Sequence, residues 1–531
     1  MGFDFLDFGF PKSGTDWKSI NGKPYITVSS KGRSNGLSNK INDGADFGPD
    51  TTLNATSPSQ IGSPYSLTSG IQEAIEYIGN LGGGSIFAKI GNYNTSALIN
   101  VTYNNITLEF ENGSVIKTTA TSFIVLNNVS NFRLLGNNST MWSSSVTQTS
   151  QNNSAVIYPV NCTNYQIKDW IFMGYSSPSE GTNNIWQNNI FIGIDGSSYG
   201  EIANITMYYA GTSTLPYAIN LFGNCDNINI HDIWAFDNID CPIGVGVYGN
   251  ISTFTTLATN IKMDRIFIDG IQYGDGIDIW DGNNIILTNS IIMNAKGNSV
   301  AIGGSEYYSL TNVLLENVIS YKSGSEGFAV GESTTTGGYN QPQNYFSLIN
   351  CYAIDSGQSG SNGYGIHVIA GTNHTIIGNT CYDDQSTKTQ QYGIYISYNS
   401  SSLPTLASIE ITNNMVYNNG TAGIYNSLQT SPVEDINFNI HDNSGYNPSG
   451  FLTAPAVATG NIFNNFGIPV LVFLTIGSTA TTVGYITSGG SNYQNIGPLT
   501  NTTLILPLSA AGVTGINLSQ VTGVSWLWFG N

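Results

Sequence analysis

Asp275-Gly-Ile-Asp-Ile-Trp280, near the middle of the chain, alternates apolar with polar or small residues, as a half-buried β-strand does. Related phrases recur at a spacing of about 22–35 residues, the length of one coil of a solenoid. They include Tyr217-Ala-Ile-Asn-Leu221, Asn298-Ser-Val-Ala-Ile-Gly303, Glu326-Gly-Phe-Ala-Val-Gly331, Tyr364-Gly-Ile-His-Val368 and Tyr392-Gly-Ile-Tyr-Ile396. This repeat predicts stacked coils of short strands rather than tandem sandwich domains.

Stacking is required because a single coil cannot bury its own Ile and Val side chains. Stacked coils form parallel sheets whose inward side chains share one core. Each inward Ile or Val contributes roughly 1.5–3 kcal/mol, so the core grows with each added coil. Asn and Gly between the strands suit tight bends because both tolerate left-handed backbone conformations. We therefore predict an all-β protein in which residues 64–450 form a parallel β-helix of about eleven coils.

Composition excludes several classes of protein. The chain has 531 residues, and its 34 acidic and 15 basic residues give a net charge of -19. This balance disfavours nucleic-acid binding, which needs clustered Lys and Arg. Hydrophobic residues make up 40% of the chain, enough for a large core, which argues against disorder. The polar bulk of Asn, Ser, Thr and Gly argues against a mostly helical protein.

The segment before the repeats contains Gly70-Ile-Gln-Glu-Ala-Ile-Glu-Tyr-Ile78, Gly82-Gly-Gly-Ser-Ile-Phe87 and Gly91-Asn-Tyr93. Apolar residues from Ile71 to Ile78 form an amphipathic stripe, which predicts a helix that caps the first coil. The segment Pro64 to Tyr93 resembles the N-terminal cap of the pectate-lyase-like superfamily, which implies a right-handed parallel β-helix. That superfamily includes polygalacturonases, polysaccharide lyases and viral tailspike proteins, so the resemblance specifies the fold more than the activity.

The two ends of the chain differ from the repeats. Residues 1–63 are rich in Gly, Asp, Asn and Ser with scattered aromatic residues, and we interpret them as an N-terminal arm or attachment segment. Residues 451–531 contain apolar strands separated by Gly, Ser and Asn turns, which predicts a small C-terminal β-sandwich-like domain.

Alternation assigns the side chains of each repeat to two faces. The predicted outward row contains Asn220, Gly246, Asp278, Ala301, Ala329, His367 and Tyr395. Its small residues leave a furrow, and neighbouring aromatic residues could form a wall on which sugar rings stack. The predicted carbohydrate-binding residues are Phe222, Tyr248, Asp278, Trp280, Glu332, His367 and Tyr395. The alternative is a solvated face without a ligand.

The same stretch is similar to the active-site region of polygalacturonases, with departures. Asp275 matches the family's pattern, but Gly297-Asn298 replaces an Asp pair, Glu326 replaces a His, and His367 and Ile369 replace an Arg and a Lys. Asn298 can neither protonate a leaving group nor activate water, so a standard polygalacturonase is not expected. The remaining catalytic candidates are Asp275 and Glu326, which the predicted stacking places about 10 Å apart.

A Ca²⁺-dependent lyase is a further enzymatic alternative. It would use Asp275, Asp278 and Asp281 as ligands, with Lys296 or Arg265 as the base. These Asp residues also fit a solvated turn, which we prefer, so no metal or cofactor is predicted.

Asn-x-Ser/Thr sequons are dense, which points to a glycosylated exterior protein, although an Asn/Ser/Thr-rich chain also generates them by chance. The predicted glycosylation sites are Asn54, Asn94, Asn100, Asn105, Asn112, Asn128, Asn161, Asn204, Asn250, Asn373, Asn399, Asn419, Asn501 and Asn517. The start of the sequence does not resemble a secretion signal, and no apolar run is long enough to cross a bilayer.

These features favour a virion surface spike or fibre, a β-helical adhesin that binds host cell-surface glycans. Its expected location is the virion surface or the extracellular space. Its expected partners are a glycan, other virion proteins through the N- or C-terminal segment, and further copies of the chain in a homotrimer. A secreted polysaccharide hydrolase or lyase, and an exterior structural protein without a ligand, are the alternatives.

Overall fold

The computed structural model describes most of the repeat region and both flanks in part. The described residues are 19–20, 23–32, 43–50, 66–143, 155–174, 190–209, 217–238, 240–246, 257–303, 309–332, 343–360, 363–397, 406–427, 438–444, 450–452, 454–464, 470–488, 492–509 and 514–530. Within these ranges, strands dominate and one helix is present, α1 at Ile71–Asn80.

The strands of the first half are β1 Ser19–Ile20, β2 Lys23–Val28, β3 Gly84–Ala88, β4 Asn92–Thr95, β5 Ile99–Val101, β6 Ile106–Phe110, β7 Val115–Thr118, β8 Ile124–Asn127, β9 Ser130–Ser143, β10 Ile157–Val160, β11 Thr163–Met173, β12 Ile192–Ile194, β13 Ser198–Tyr208, β14 Ile219–Leu221, β15 Asp226–Asn238, β16 Ile243–Val245, β17 Thr259–Ile271 and β18 Ile277–Ile279. The strands of the second half are β19 Gly282–Met293, β20 Val300–Gly303, β21 Leu310–Tyr321, β22 Phe328–Glu332, β23 Gln343–Ile349, β24 Tyr352–Ile354, β25 Tyr364–Val368, β26 Thr372–Ile377, β27 Thr380–Tyr382, β28 Tyr392–Ile396, β29 Ala407–Thr412, β30 Met415–Tyr417, β31 Ala422–Asn426, β32 Phe438–His441, β33 Gly450–Leu452, β34 Gly460–Phe463, β35 Val470–Ile476, β36 Thr481–Ser488, β37 Asn492–Leu499, β38 Thr502–Leu508, β39 Gly515–Leu518 and β40 Val524–Gly530.

Two long sheets wind around a shared core and confirm the predicted parallel β-helix. Sheet 2 stacks one short strand per coil, in the order β5-β8-β10-β12-β14-β16-β18-β20-β22-β25-β28-β31. Sheet 1 contains the longer, bent strands, such as β11, β13, β15, β17, β19 and β21, each parallel to its neighbour. Ile277 and Ile279 point inward and are fully buried, as the alternation predicted.

The bends are made by stacked residues in the left-handed backbone conformation. One row at the start of the sheet 1 strands contains Asn105, Asn131, Asn164, Asn227, Asn260, Asn284, Asn312 and Asn373, all with φ between 53° and 61°. Neighbours in this row also bond to each other, as where Asn131 Nδ2 donates to Asn105 Oδ1 at 2.8 Å. Asn tolerates this conformation, which explains why Asn is so frequent at the corners.

A second set of Asn residues lies inside the coil. Asn379 and Asn414 are buried and lie one coil apart. Asn379 Oδ1 accepts the backbone N–H of Cys351, and Asn414 Oδ1 accepts the backbone N–H of Asn379. Their Nδ2 groups donate to the backbone oxygens of Leu348 and Ile376. This internal ladder satisfies backbone groups that the bend would otherwise leave buried without partners.

The N-terminal end differs from the prediction in its first strand. Strand β2 pairs in parallel with β3, so sheet 1 begins well before residue 64, where the sequence analysis placed the start of the β-helix. Helix α1 begins after Gly70, which has φ 84° and no side-chain cap. Helix residues Ile71, Ala74, Ile75 and Ile78 are buried, as the amphipathic stripe predicted.

The C-terminal strands form two antiparallel sheets, in the orders β33-β40-β35-β38 and β34-β39-β36-β37. This arrangement agrees with the predicted sandwich-like domain. All five cysteines are buried as free thiols. No helix within the described ranges is long and apolar enough to cross a membrane.

Candidate functional site

The outward face of sheet 2 aligns one residue from each coil in a single row. The strand registers join Asn220, Gly244, Asp278, Ala301, Ala329, His367, Tyr395 and Tyr425 in that order. This is the predicted row with one correction, because Gly244 occupies the position that the sequence analysis gave to Gly246. Ile243 and Val245 point inward there, two residues earlier than expected.

A second row runs beside the first, three residues earlier in each coil. Asp275, Asn298 and Glu326 follow one another in it, because the Asn298 backbone N–H donates to Asp275 and the Glu326 N–H donates to Asn298 Oδ1 at 3.1 Å. Asp275 and Glu326 are therefore two coils apart, which corresponds to about 9.5 Å between their strands. Asn298 thus hydrogen-bonds to both neighbouring coils, and its amide group cannot act as a general acid or base.

Trp280, Tyr217 and Asp278 form one hydrogen-bonded chain. Trp280 Nε1 donates to Tyr217 Oη at 3.1 Å, and Tyr217 Oη donates to Asp278 Oδ2 at 3.0 Å.

Part of the predicted sugar-stacking wall is buried, so this part of the prediction is wrong. Trp280 and Asp278 are each 6% exposed, and Trp280 packs with Tyr217, Cys241 and Ala301. Phe222 is also buried, against Ala155, Tyr158 and Ile190. These rings lie outside the main core but are covered by neighbouring coils, so in this structure they do not offer an open surface for a sugar.

Two carboxyl groups of the site hold their protons more tightly than usual. The pKa of Asp240 is raised to about 7, chiefly by burial, with a smaller increase from the charge of Asp275 and an opposing decrease from a hydrogen bond of the Cys241 backbone. Burial likewise raises the pKa of Asp275 to about 6, with an added contribution from Glu326. Bonds from Asn298 and Asp278 oppose this increase in the pKa of Asp275. At mildly acidic pH, the site therefore contains protonated carboxyl groups.

Glu326, His367 and Ser397 form a second hydrogen-bonded chain across three adjacent coils. Glu326 Oε1 lies 3.2 Å from His367 Nδ1, and His367 Nε2 lies 2.7 Å from Ser397 Oγ. Glu326 and His367 are each 8% exposed, whereas Ser397 is half-buried. Glu326 and His367 are predicted site residues, but the sequence pattern neither connects them nor marks Ser397.

Four tyrosines beyond this chain form what we call the tyrosine platform: Tyr364, Tyr392, Tyr395 and Tyr425. Tyr395 stacks on Tyr364 at 4.3 Å and on Tyr425 at 5.7 Å between ring centroids. Tyr392 lies 5.0 Å from Tyr395. All four are half-buried, so part of each ring remains accessible. Of these four tyrosines, only Tyr395 is a predicted site residue. The repeated Tyr-Gly-Ile sequence at residues 364 and 392 is the pattern that could have indicated Tyr364 and Tyr392.

Several predicted residues are not brought to this site. Tyr248 lies outside the described residues, and Glu332 is described only as the last backbone position of β22. Arg265, the alternative lyase base, lies on β17 in sheet 1 and is paired there with Asp232 and Asp264. Within the described ranges, no group of three or more His, Cys, Asp or Glu side chains is arranged to hold a metal ion.

Most of the predicted sequon asparagines that are described lie on the surface. Asn94, Asn100, Asn105, Asn112, Asn128, Asn161, Asn204, Asn373 and Asn501 are exposed. Asn419 and Asn517 are half-buried, and their Nδ2 groups donate to the Cys381 carbonyl and to Asn461. Glycan attachment at those two nitrogens would break these bonds. Asn54, Asn250 and Asn399 fall outside the described ranges.

The fold is a right-handed parallel β-helix, and solved structures share it. Comparable solved structures include PfbA, a surface adhesin of Streptococcus pneumoniae, with 15% identity, a TM-score of 0.51, and coverage of 72% of this chain and 91% of that one. The catalytic unit of the GH87 α-1,3-glucanase from Streptomyces thermodiastaticus has 14% identity and a TM-score of 0.48, with 79% and 71% coverage. An exopolygalacturonase from Thermotoga maritima has 10% identity and a TM-score of 0.43, with 70% and 87% coverage.

At these identities the likeness concerns the fold, on which many different activities occur. No protein-family model and no curated protein sequence matches the chain. Function therefore has to be argued from the side chains of the outward face.

Proposed function

We propose that this protein binds carbohydrate on the outward face of sheet 2, from Asp275 to Tyr425. The tyrosine platform is the observation that carries the proposal. Its rings are stacked, rigid and partly accessible, and each combines an apolar face with a hydroxyl group. The apolar C–H face of a sugar ring can cover such a surface, while the tyrosine hydroxyl groups serve as polar partners for sugar hydroxyls.

The charge of this face favours neutral glycans over acidic ones. Its ionisable groups include Asp275, Asp278 and Glu326, and the chain carries a net charge of -19. A uronate or sulfate would meet like charge at neutral pH. The Arg-x-Lys pair that would hold a uronate is replaced by His367 and Ile369.

The biological setting that we propose is the surface of a virion, where the protein acts as an adhesin for host glycans. The row formed by Ile505, Phe473 and Leu527 in the C-terminal domain fits an assembly role, because Ile505 and Leu527 are each 58% exposed. This part of the proposal predicts that the protein co-purifies with virus particles and assembles into a homotrimer. Its absence from purified particles, or a monomer in sedimentation analysis, would contradict that part.

Replacing Tyr395 with alanine is expected to weaken glycan binding about 30-fold. Removing the central ring of a binding surface typically costs about 2 kcal/mol, which corresponds to this change in Kd. Tyr395 contacts Tyr364, Tyr392 and Tyr425, so its loss disrupts the whole platform. A glycan array identifies the ligand, and isothermal titration with that ligand measures the change.

Tyr382→Ala provides the matched control. Tyr382 stacks on Tyr417 at 5.0 Å, but on sheet 1, away from the proposed surface. It should leave the affinity unchanged. Equal weakening by both substitutions, or no binding of the wild-type protein to any neutral or acidic glycan, would contradict the proposed site.

A polysaccharide hydrolase is the second candidate, favoured by the spacing of Asp275 and Glu326. Inverting glycosidases separate their two carboxyl groups by about 6.5–9.5 Å, so a two-coil separation lies at the upper end of that range. The pKa of Asp275, raised to about 6 by burial, keeps a proton available to a leaving group in mildly acidic solution.

If this second candidate is correct, Asp275→Asn should lower the release of reducing ends by at least about 100-fold. Wild-type activity should decline as the pH rises above about 6, because Asp275 loses its proton there. Asp269→Asn, on sheet 1, serves as the control and should retain activity. Absence of reducing-end release by the wild-type protein at pH 5 on the glycan it binds would exclude the hydrolase and leave the adhesin proposal standing.

A further inference from the structure

The chain Ser397–His367–Glu326 contains the parts of a nucleophilic site in the required order. Ser397 follows β28, His367 lies on β25, and Glu326 precedes β22, so the three residues come from adjacent coils. The contacts of 2.7 Å from Ser397 Oγ to His367 Nε2 and 3.2 Å from His367 Nδ1 to Glu326 Oε1 are hydrogen-bond distances.

The proposed chemistry uses one tautomer of His367, in which the Nδ1–H donates to the Glu326 carboxylate. Nε2 is then free to accept the hydroxyl hydrogen of Ser397. This is the order nucleophile, base, orienting carboxylate that activates serine in acyl transfer, on whatever fold it occurs.

Surrounding groups hold the imidazole in place. The His367 ring lies 4.6 Å from Tyr364, edge to face, and 5.1 Å from Tyr395. Glu326 and His367 are buried, whereas Ser397 is half-buried, so the nucleophile lies at the accessible end of the chain. The same two tyrosines belong to the platform, which places the serine beside the surface proposed to bind a glycan.

A serine at the corner after the sheet 2 strand does not need a histidine partner, as the equivalent serine of the next coil shows. Ser427 follows Asn426, which is paired with Ile396, just as Ser397 follows Ile396. Its Oγ donates to the Ile396 backbone carbonyl at 3.0 Å. A serine at this corner is thus satisfied by the backbone alone, whereas Ser397 is bonded to a histidine that a carboxylate orients.

We propose that Ser397 is the nucleophile of an ester hydrolase that removes O-acyl groups, such as acetyl, from a glycan bound at the tyrosine platform. Ser397 Oγ attacks the ester carbonyl carbon and its proton passes to His367 Nε2. The C–O bond to the sugar then breaks, and His367 returns the proton to the leaving sugar oxygen. Water, activated by His367, hydrolyses the acyl-serine and releases the carboxylic acid. The glycan part of this substrate rests on the proposed function, but the serine chemistry does not.

The test uses two probes that need no glycan: a fluorophosphonate, which labels activated serines, and p-nitrophenyl acetate. The wild-type protein should be labelled on Ser397 and should release p-nitrophenol. Ser397→Ala should abolish labelling and lower turnover at least 100-fold, whereas Ser427→Ala should retain both. Circular dichroism and the thermal unfolding midpoint of each variant show that it is folded. An unlabelled wild-type protein, or equal labelling of Ser397→Ala, would overturn the proposal.

Glu326 is a positioning residue in this scheme, and its role has a separate signature. Glu326→Gln should lower kcat for p-nitrophenyl acetate at least 100-fold with little change in KM, and Glu326→Asp should restore part of it. Equal activity of Glu326→Gln and the wild type would contradict the role given to Glu326.

Acetylated oligosaccharides then separate the two proposals. Tyr395→Ala should raise KM for the glycan ester. Labelling without glycan binding would remove the proposed platform but keep the esterase. Glycan binding without labelling would do the reverse.

Discussion

Trp170→Ala is expected to lower the free energy of unfolding by about 3–5 kcal/mol, the usual cost of truncating a buried aromatic ring. Trp170 is 1% exposed and is among the largest fully buried side chains of the described region. Its ring packs edge to face on Phe110 at 5.3 Å, and its Nε1 donates to the Leu134 carbonyl. Truncation leaves a cavity and removes the hydrogen bond that the Leu134 carbonyl accepts from the ring.

Trp234→Ala is the matched control. Trp234 also lies on a strand of sheet 1, but it is 39% exposed. Its loss should change stability by less than about 1 kcal/mol, which chemical denaturation of both variants would measure. A similar destabilisation by both substitutions would mean that the ring of Trp170 does not pack inside the coil.

The protonated forms of Asp240 and Asp275 are expected to contribute stability that is lost as the pH rises from about 4 to about 7. Buried His374, whose pKa burial lowers to about 4, contributes in the opposite direction over this range. Their pKa values are raised to about 7 and about 6 in the folded protein, against an ordinary value of about 3.9. Between these values the unfolded chain releases protons that the folded chain retains, so a rising pH favours unfolding. At about 1.4 kcal/mol per pKa unit, Asp240 alone accounts for at most about 4 kcal/mol.

Asp240→Asn should therefore stabilise the protein at pH 7.5 and flatten the decrease between pH 4 and pH 7. Asp237→Asn, at an exposed position with φ 48° that Asn also tolerates, should leave the profile unchanged. The measurement is the thermal unfolding midpoint of each variant across this pH range. Equal pH profiles of Asp240→Asn and the wild-type protein would contradict the protonated state assigned to Asp240.

Sequence reasoning was most successful where structure depends on local pattern. Alternation placed Ile277 and Ile279 in the core, and the frequency of Asn predicted the left-handed corners. The prediction that Gly246 lies in the outward row is wrong, because alternation alone cannot distinguish two registers that differ by two residues. A shift of two residues keeps every side chain on its face, so Val245 points inward in either register.

The site itself depends on contacts that no local pattern contains. Tyr217 covers Asp278 from 61 residues away in the sequence and turns a predicted exposed acid into a buried one. Glu326 and His367 are 41 residues apart, and His367 and Ser397 are 30 apart. These separations along the sequence vary with the length of the loop in each coil, whereas the stacking of the strands does not. The sequence separation therefore does not indicate which polar groups come into contact.

Coil stacking also determines how far the site is held from the other end of the molecule. Helix α1 contacts the first strand of sheet 2, where Gln72 Oε1 accepts the Asn100 N–H, whereas the tyrosine platform lies on the last three, β25, β28 and β31. From β5 to β31 the sheet measures about 50 Å at the spacing of neighbouring strands. The β-helix therefore acts as a spacer, and inserting one whole coil would extend its reach by about 4.8 Å while leaving the tyrosine platform unchanged.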